Sequence, residues 1–136
     1  MTMTSGNDQS PHTAPADGIL CTGEYTVTSA DIIRFREQMG YPASPEGTQP
    51  VAPSSMGLTY GLRLGWEHKL FPPGSIRMGD KDVFGVQARP GDRLRTEMHI
   101  VDRFEKNGRK FCSFEMSTRN QSGELVCSVT FTAIIP

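Results

Sequence analysis

The sequence contains few of the residues that build metal sites and disulfide frameworks. Only three cysteines and three histidines occur among its 136 residues. Cys21, Cys112 and Cys127 form neither a C-x-x-C pair nor a group with histidine at the spacing of metal ligands. We therefore expect neither a metal site nor a disulfide, and we expect Cys112 and Cys127 to be small buried side chains in strands. No cofactor is expected.

An excess of charge of either sign and long apolar runs are also missing. The net charge is -1, from 14 basic and 15 acidic residues, and this balance does not favour binding to nucleic acid or to an anionic membrane surface. No run approaches the roughly 18 apolar residues that span a bilayer. The polar N-terminus lacks the apolar core of a signal peptide. These absences predict a cytoplasmic protein.

The length and composition predict one domain with one core, since 136 residues at 36% hydrophobic content are too few for two. Residues 1–18 contain mostly Thr, Ser, Asn, Asp, Pro and Gly. They have little apolar surface to offset the entropy of ordering. We expect a disordered tail over 1–18 and a single domain over 19–136.

Two helices are predicted in the first half of the domain, after a short strand over residues 23–27. The stretch "TSADIIRFREQMG" has N-cap candidates at Thr28 and Ser29 and a glycine at its end. The stretch "SSMGLTYGLRLGWEHKL" alternates like a strand, but its glycines at positions 57, 61 and 65 recur as on a helix. Because strands disfavour glycines, we predict a helix of about four turns that begins near Ser54 and is buried on all sides.

The second half predicts four long strands, over residues 75–89, 92–106, 109–120 and 124–135, in an antiparallel meander. A two-residue loop at Gln121 and Ser122 would pair Phe114 with Val129. A three-residue loop with Gly108 in a left-handed bulge would pair Ile100 with Phe114 and Met98 with Met116. These registers place the apolar side chains of the strands on one face.

A curled antiparallel sheet of five to six strands around a central helix is an α+β architecture that resembles the hotdog fold. The stretches "YTVTSADIIRFREQMG", "VAPSSMGLTYG", "GSIRMGDKDVFGVQARPGDRL" and "NQSGELVCSVTFTAI" resemble, in order and spacing, the MaoC-like acyl hydratases and dehydratases, in particular their N-terminal half. The resemblance covers about residues 25–136. It implies an activity on enoyl or 3-hydroxyacyl thioesters, in fatty acid or steroid side-chain metabolism.

Catalytic members of that family have a loop resembling G-D-x-N-P-x-H after the first helix, in which Asp and His move protons. In this chain Gly40 matches the glycine, Tyr41 matches the aspartate, and Glu46 or Gly47 matches the histidine, depending on a one-residue gap. A phenol ordinarily titrates near pH 10 and is a poor base at neutrality. No catalytic residue is therefore expected. Arg77 is a second departure, because many relatives of the N-terminal half have histidine there.

The resemblance implies a subunit that completes the acyl-binding site of a catalytic partner and so forms part of a hydro-lyase. The expected partners are an acyl-CoA or acyl-carrier thioester and a second hotdog subunit, in a heterodimer or a homodimer. In the family a backbone N–H at the start of the central helix polarises the thioester carbonyl. The residues expected to bind substrate are Ser55, Met56, Gly57, Tyr60 and Arg77.

Three features leave alternatives open. Glu67 and His68 end the central helix and could imitate the carboxylate of hotdog thioesterases, so a homodimeric acyl-CoA thioesterase or acyl-CoA-binding protein is the alternative function. His99 alternates with apolar neighbours and is expected on the outer face of the sheet. The cations Arg103, Lys106, Arg109 and Lys110 gather near one hairpin tip, either as a solvated turn or as a contact for coenzyme A phosphates or an acidic carrier protein.

Overall fold

The computed structural model describes residues 18–136, in which a five-stranded antiparallel sheet curls around one helix. The predicted tail lies outside the described residues except for Gly18. The strand order across the sheet is β1-β3-β4-β5-β2. In chain order the elements are β1 (Ile19–Thr26), α1 (Ser29–Gln38), a 3-10 turn (Ser54–Met56), α2 (Gly57–Glu67), β2 (Ile76–Phe84), β3 (Arg93–Lys106), β4 (Arg109–Arg119) and β5 (Leu125–Ile135).

The predicted architecture is confirmed, but the predicted meander is wrong for its first strand. β2 pairs with β5 and not with β3, so it forms the opposite edge of the sheet. The place beside β3 is taken by β1, whose Tyr25 lies opposite Leu94. The glycine-bearing turn at 89–93 therefore joins strands that are not neighbours. Local turn signals could not reveal this, because the choice of partner depends on the whole sheet.

Helix α1 begins as predicted, because the Thr28 hydroxyl accepts a hydrogen bond from the Asp31 amide at 3.1 Å. Its Ile32 side chain is fully buried, while Phe35 packs at the border of the core. Met39, three residues before Pro42, is exposed. The helix ends at Gln38, so Met39 belongs to the turn that leads away from the core.

The central helix, formed by the 3-10 turn and α2, starts at Ser54 as predicted and packs on the inner face of the sheet through its glycines. A Cβ atom on Gly57 would lie 2.8 Å from Cys127 Cβ, and one on Gly61 would lie 2.8 Å from Met116 Cβ. The helix was predicted to be buried on all sides, and this is wrong. Its far side faces solvent, where Trp66 is 67% exposed.

The hairpin of β3 and β4 has the predicted pairing for a different reason. Ile100 lies opposite Phe114, as predicted, but the loop is a two-residue Asn107-Gly108 turn with positive φ at both positions. The bulge lies instead at Val101, between Ile100 and the next paired residue. The extra residue returns the apolar side chains to the inner face.

The last hairpin differs from its predicted register by two residues. Phe114 lies opposite Phe131 and Met116 opposite Val129. The loop is one residue longer than predicted, because Asn120 closes it through backbone hydrogen bonds with Gly123 and Glu124. A register shift between Thr118 and Arg119 adds the second residue. Side chains alternate with a period of two, so a shift of two leaves the same residues on the inner face.

We predict that Gly61→Val will lower the free energy of unfolding by about 1–3 kcal/mol, the usual cost of overpacking. The new side chain would meet Met116 Cβ, an atom fixed by the backbone of β4. Gly79→Val is the matched control, because no atom lies within 4 Å of a Cβ at that position. Urea unfolding of both variants measures the difference, and equal losses would contradict close packing at Gly61.

Candidate functional site

The loop between α1 and the central helix contains the positions that match the catalytic loop of hydratases. Tyr41 is half exposed, and its hydroxyl lies 3.1 Å from the Ser55 hydroxyl at the start of the central helix. Glu46 and Gly47 are exposed and stand at the turn of the loop. The structure thus brings Tyr41 and Ser55 together, and both supply hydroxyl groups, which are weak bases at neutral pH.

Arg36 fastens this loop to α1. Its guanidinium donates hydrogen bonds to the Pro42 carbonyl at 2.7 Å and to the Val51 carbonyl at 3.2 Å. The same group lies 5.6 Å from the centre of the Tyr41 ring, within the range of a cation–π contact. Sequence reasoning missed this residue, because an arginine on an exposed helix face gives no sign that it binds loop carbonyls.

An open cleft of about 430 Å³ lies between α1 and the loop. Its walls include Ile33, Glu37 and Thr48 as well as Tyr41 and Glu46. Its wall from the loop contains a single carboxylate and no histidine. The cleft as a whole contains two carboxylates, Glu37 from α1 and Glu46 from the loop, and no histidine.

The start of the central helix is closed on its inner side. The Met56 amide donates to the Pro53 carbonyl at 2.9 Å, and the Gly57 amide donates to the Ser54 carbonyl. The cavity beside this end measures about 10 Å³, close to the volume that one water needs. The side of Gly57 where a Cβ would project meets Cys127, so Gly57 serves packing there. Among Ser55, Met56 and Gly57, the Ser55 amide remains the candidate donor for a thioester carbonyl.

Tyr60 points into the protein. The residue is 7% exposed, its ring centre lies 5.3 Å from that of Tyr25, and no group in the described part of the chain pairs with its hydroxyl. Burial raises the pKa of Tyr60. The Tyr25 hydroxyl donates a short hydrogen bond to the Asp31 carboxylate. Burial, and then this bond, raise the pKa of Tyr25 to about 12.

A second cavity of about 430 Å³ is apolar and lies between the C-terminal half of α2 and the sheet. Four aromatic rings contribute to its wall: Phe71 packs edge-on against Trp66, Phe114 and Phe131, with centres 5.3–5.8 Å apart. Arg77 lies at its rim, 5.2 Å from the Phe131 ring centre, and forms an ion pair with Asp80. We call this cavity the acyl-sized pocket.

Of the predicted substrate-binding residues, Arg77 lines the acyl-sized pocket, whereas Ser55 and Met56 lie at the other end of α2. The pocket's main ring, Phe71, was missed by sequence reasoning. Its only signal was its place in "FPPG", directly after the central helix. A short apolar segment that ends a helix predicts no particular packing partner.

Of the two residues proposed for a thioesterase, Glu67 is exposed and His68 is partly buried. Glu67 is paired with Arg63 at 2.7 Å and is more than half exposed. His68 caps the end of α2. His99 lies on the outer face, as expected, 3.9 Å from Glu97. Within residues 18–136, no group of three or more His, Cys, Asp or Glu side chains stands close enough to hold a metal ion.

No helix within residues 18–136 has the length and apolar character needed to cross a bilayer.

No protein-family model and no curated protein matches the sequence.

Solved structures share the fold. One is a chain of the C-terminally truncated HadBC (3R)-hydroxyacyl-ACP dehydratase complex from Mycobacterium tuberculosis, at 20% identity and TM-score 0.68, covering 82% of this chain and 90% of that one. Another is the MaoC-like dehydratase from Rhodospirillum rubrum, at 20% identity and TM-score 0.66, covering 84% and 87%. A third is a hypothetical thioesterase with coenzyme A from Streptococcus pneumoniae, at 14% identity and TM-score 0.59, covering 85% and 77%. The fold is therefore the hotdog fold.

We predict that Arg36→Met will loosen the loop and speed amide hydrogen exchange over residues 41–51. The change removes two hydrogen bonds to loop carbonyls and keeps the apolar stem of the side chain. Arg34→Met is the control, because Arg34 lies two positions away on the same helix, is exposed, and makes neither bond. Equal exchange in both variants would show that Arg36 does not hold the loop.

We also predict that Tyr25→Phe will raise the pKa of the Asp31 carboxyl. The hydrogen bond from the Tyr25 hydroxyl has the larger effect and the one with Thr28 the smaller, and together they hold the pKa of the Asp31 carboxyl below its usual range. A carboxyl whose pKa is lower in the folded state than in the unfolded state stabilises the protein at pH values above the unfolded-state pKa. This stabilisation is lost as the pH falls through the folded-state pKa. The variant should therefore lose less stability on acidification. Carbon-detected NMR titration of Asp31 measures the change, and an unaltered titration would contradict it.

Proposed function

We propose that this chain is a MaoC-like hotdog subunit without its own acid–base pair, which completes the acyl-binding site of a catalytic partner. The assembled enzyme would be a hydro-lyase that acts on enoyl or 3-hydroxyacyl thioesters. The observation that carries the proposal is the loop over residues 40–51, where Tyr41 and Glu46 or Gly47 stand at the positions of the catalytic pair. The resemblance to the family supplies the reaction class.

Hydration of an enoyl thioester needs a base that activates water and an acid that protonates the carbon, both within hydrogen-bond reach. In this chain the Tyr41 hydroxyl is engaged with Ser55, and Glu46 is an exposed carboxylate without a histidine beside it. Both side chains are exposed to solvent. The chemistry is therefore assigned to the partner.

The edge strand β2 supports a partner subunit. All nine of its residues are exposed, and one side of its backbone pairs with β5 while the other has no strand beside it in the described chain. Its exposed apolar side chains are Ile76, Met78, Val83 and Phe84. An unpaired apolar edge is prone to unwanted association, so proteins commonly cover it. A second hotdog sheet aligned along β2 would cover it.

Such pairing would bring the N-terminal end of the partner's central helix, where its catalytic residues are proposed to lie, close to the acyl-sized pocket. β2 begins near the C-terminal end of α2, where Ile76 lies opposite Ile134. It ends near the N-terminal end of α2, where Phe84 lies opposite Cys127, the residue that contacts Gly57. If the two edge strands align antiparallel, the partner's central helix runs in the opposite direction. Its N-terminus would then lie beside the acyl-sized pocket of this chain, which would hold the apolar part of the acyl group.

Two of the similar structures support this reading. HadBC is by its name a complex that acts as a hydroxyacyl-ACP dehydratase, and the thioesterase structure contains coenzyme A. We extend to this chain the general property of binding an acyl thioester together with a second hotdog unit. A location in the cytoplasm remains part of the proposal.

The test is hydration of enoyl thioesters by the purified chain, alone and with a hotdog chain that has an intact D-x-N-P-x-H loop and is encoded beside it. Alone, the chain should be slower than the complex by about 10²-fold or more, the usual loss for a missing acid or base. Full hydratase activity of the chain alone would overturn the proposal. Thioester hydrolysis by a homodimer would instead support the thioesterase alternative.

We predict that Val83→Lys will abolish the complex and leave the isolated chain folded. Val83 is an exposed residue of β2, and a lysine on an edge strand opposes strand pairing. Glu115→Lys is the control, because it places the same side chain on β4, away from that edge. Size-exclusion chromatography of the mixed subunits measures complex formation. A complex that survives Val83→Lys would exclude β2 as the interface.

A further inference from the structure

Four apolar side chains form a row across the outer face of the sheet. Phe104 lies opposite Phe111, Phe111 opposite Ile134, and Ile134 opposite Ile76, so the row crosses four adjacent strands. The rings of Phe104 and Phe111 stack with their centres 4.8 Å apart. Phe104 and Ile76 are 41% and 55% exposed. We call these four residues the apolar row.

Cations adjoin the apolar row. Lys106 and Arg109 face each other across the Asn107-Gly108 turn, and each is two residues from a phenylalanine of the row. Side chains two apart on a strand share a face, so both cations lie beside the row on the outer side. No ion pair found among residues 18–136 uses Lys106, Arg109 or Lys110. Asp102 lies on the same face, two residues before Phe104, so two cations and one anion adjoin the row on the outer side, although the whole chain has a net charge of -1.

The surface lies at the same end of the sheet as the acyl-sized pocket, but on the opposite face. The row ends at Ile76, the first residue of the edge strand β2. On the inner face, Lys110 lies opposite Ile135, which lines the pocket. A partner docked on the row would therefore stand at the end of the sheet where the proposed function puts the acyl group.

The shape of the surface favours a protein over a small molecule. Small ligands are held in concave sites, whereas the clefts described above are lined by other residues and the row follows the face of the sheet. An apolar centre with charges at its rim is typical of protein interfaces, where the rim charges select partners of opposite sign.

We propose that the apolar row, together with Lys106 and Arg109, docks an acidic carrier protein that bears the acyl thioester. This inference rests on the proposed function and deepens it, because it selects a carrier protein over coenzyme A. The cations attract the acidic surface of the carrier, and the stacked rings supply the apolar contact.

The test measures binding of a fluorescently labelled bacterial acyl carrier protein to the full chain by anisotropy, at low and at physiological salt. Lys106→Glu combined with Arg109→Glu should weaken binding about tenfold or more, and added salt should weaken wild-type binding because surface charges are screened. Phe104→Ser should weaken binding at both salt concentrations. Absence of saturable binding by the wild type would overturn the proposal.

Lys110→Glu is the matched control, since it reverses a charge on the same hairpin but on the inner face. It should change the dissociation constant by less than about threefold, because its charge does not face the carrier. An equal loss from Lys110→Glu would show attraction without a defined face and would overturn the assigned surface. Circular dichroism and urea unfolding must show that each variant is folded.

Two further outcomes would also overturn the proposal. Equally tight binding of vesicles with anionic lipids, reduced by the same variants, would assign the surface to a membrane. Loss of a homo-oligomer in the Lys106→Glu and Arg109→Glu variant would assign it to a second copy of the chain. The binding assay requires neither the catalytic partner nor activity, so its failure leaves the hydratase test unaffected.

Discussion

The close contact between the central helix and the sheet controls the rest of the structure. The Gly57 and Gly61 positions face the Cβ atoms of Cys127 and Met116 at distances that exclude any side chain on the helix. The helix is thereby held near the sheet along its first two turns, without a layer of side chains between them. The larger side chains of the helix therefore lie near its ends or on the side that faces away from the sheet.

The acyl-sized pocket follows from this contact. Where the helix approaches its C-terminal end, large rings replace the glycine contact: Phe71 fills the space beside Gly65 and separates the helix from Phe114 and Phe131. An apolar cavity lies beside Phe71, between this end of the helix and the sheet. At the N-terminal end the close approach leaves space for about one water. The C-terminal end of the helix thus has space for an apolar ligand, whereas the N-terminal end does not.

Several contacts hold the loop between α1 and the central helix. Arg36 bonds to carbonyl groups at both of its ends, and Tyr41 contacts Ser55. Prolines at positions 42, 45 and 50 restrict its backbone further. These contacts restrict the conformations that the loop can adopt.

The sequence by itself determined the elements and the faces of the strands. Caps and periodicity predicted α1, the glycine stripe predicted the central helix from Ser54, and alternation predicted which side chains face inward. These features depend on neighbouring residues, and the period of two tolerated even an error of two residues in the last hairpin.

Only the tertiary structure decided which strands are neighbours and where the cavities lie. The pairing of β2 with β5, the bulge at Val101, and the solvent-facing side of α2 all depend on contacts between residues far apart in sequence. The same holds for the apolar row, whose four members come from four strands. No local pattern specifies such contacts, because they depend on which arrangement of all five strands buries the most apolar surface around the helix.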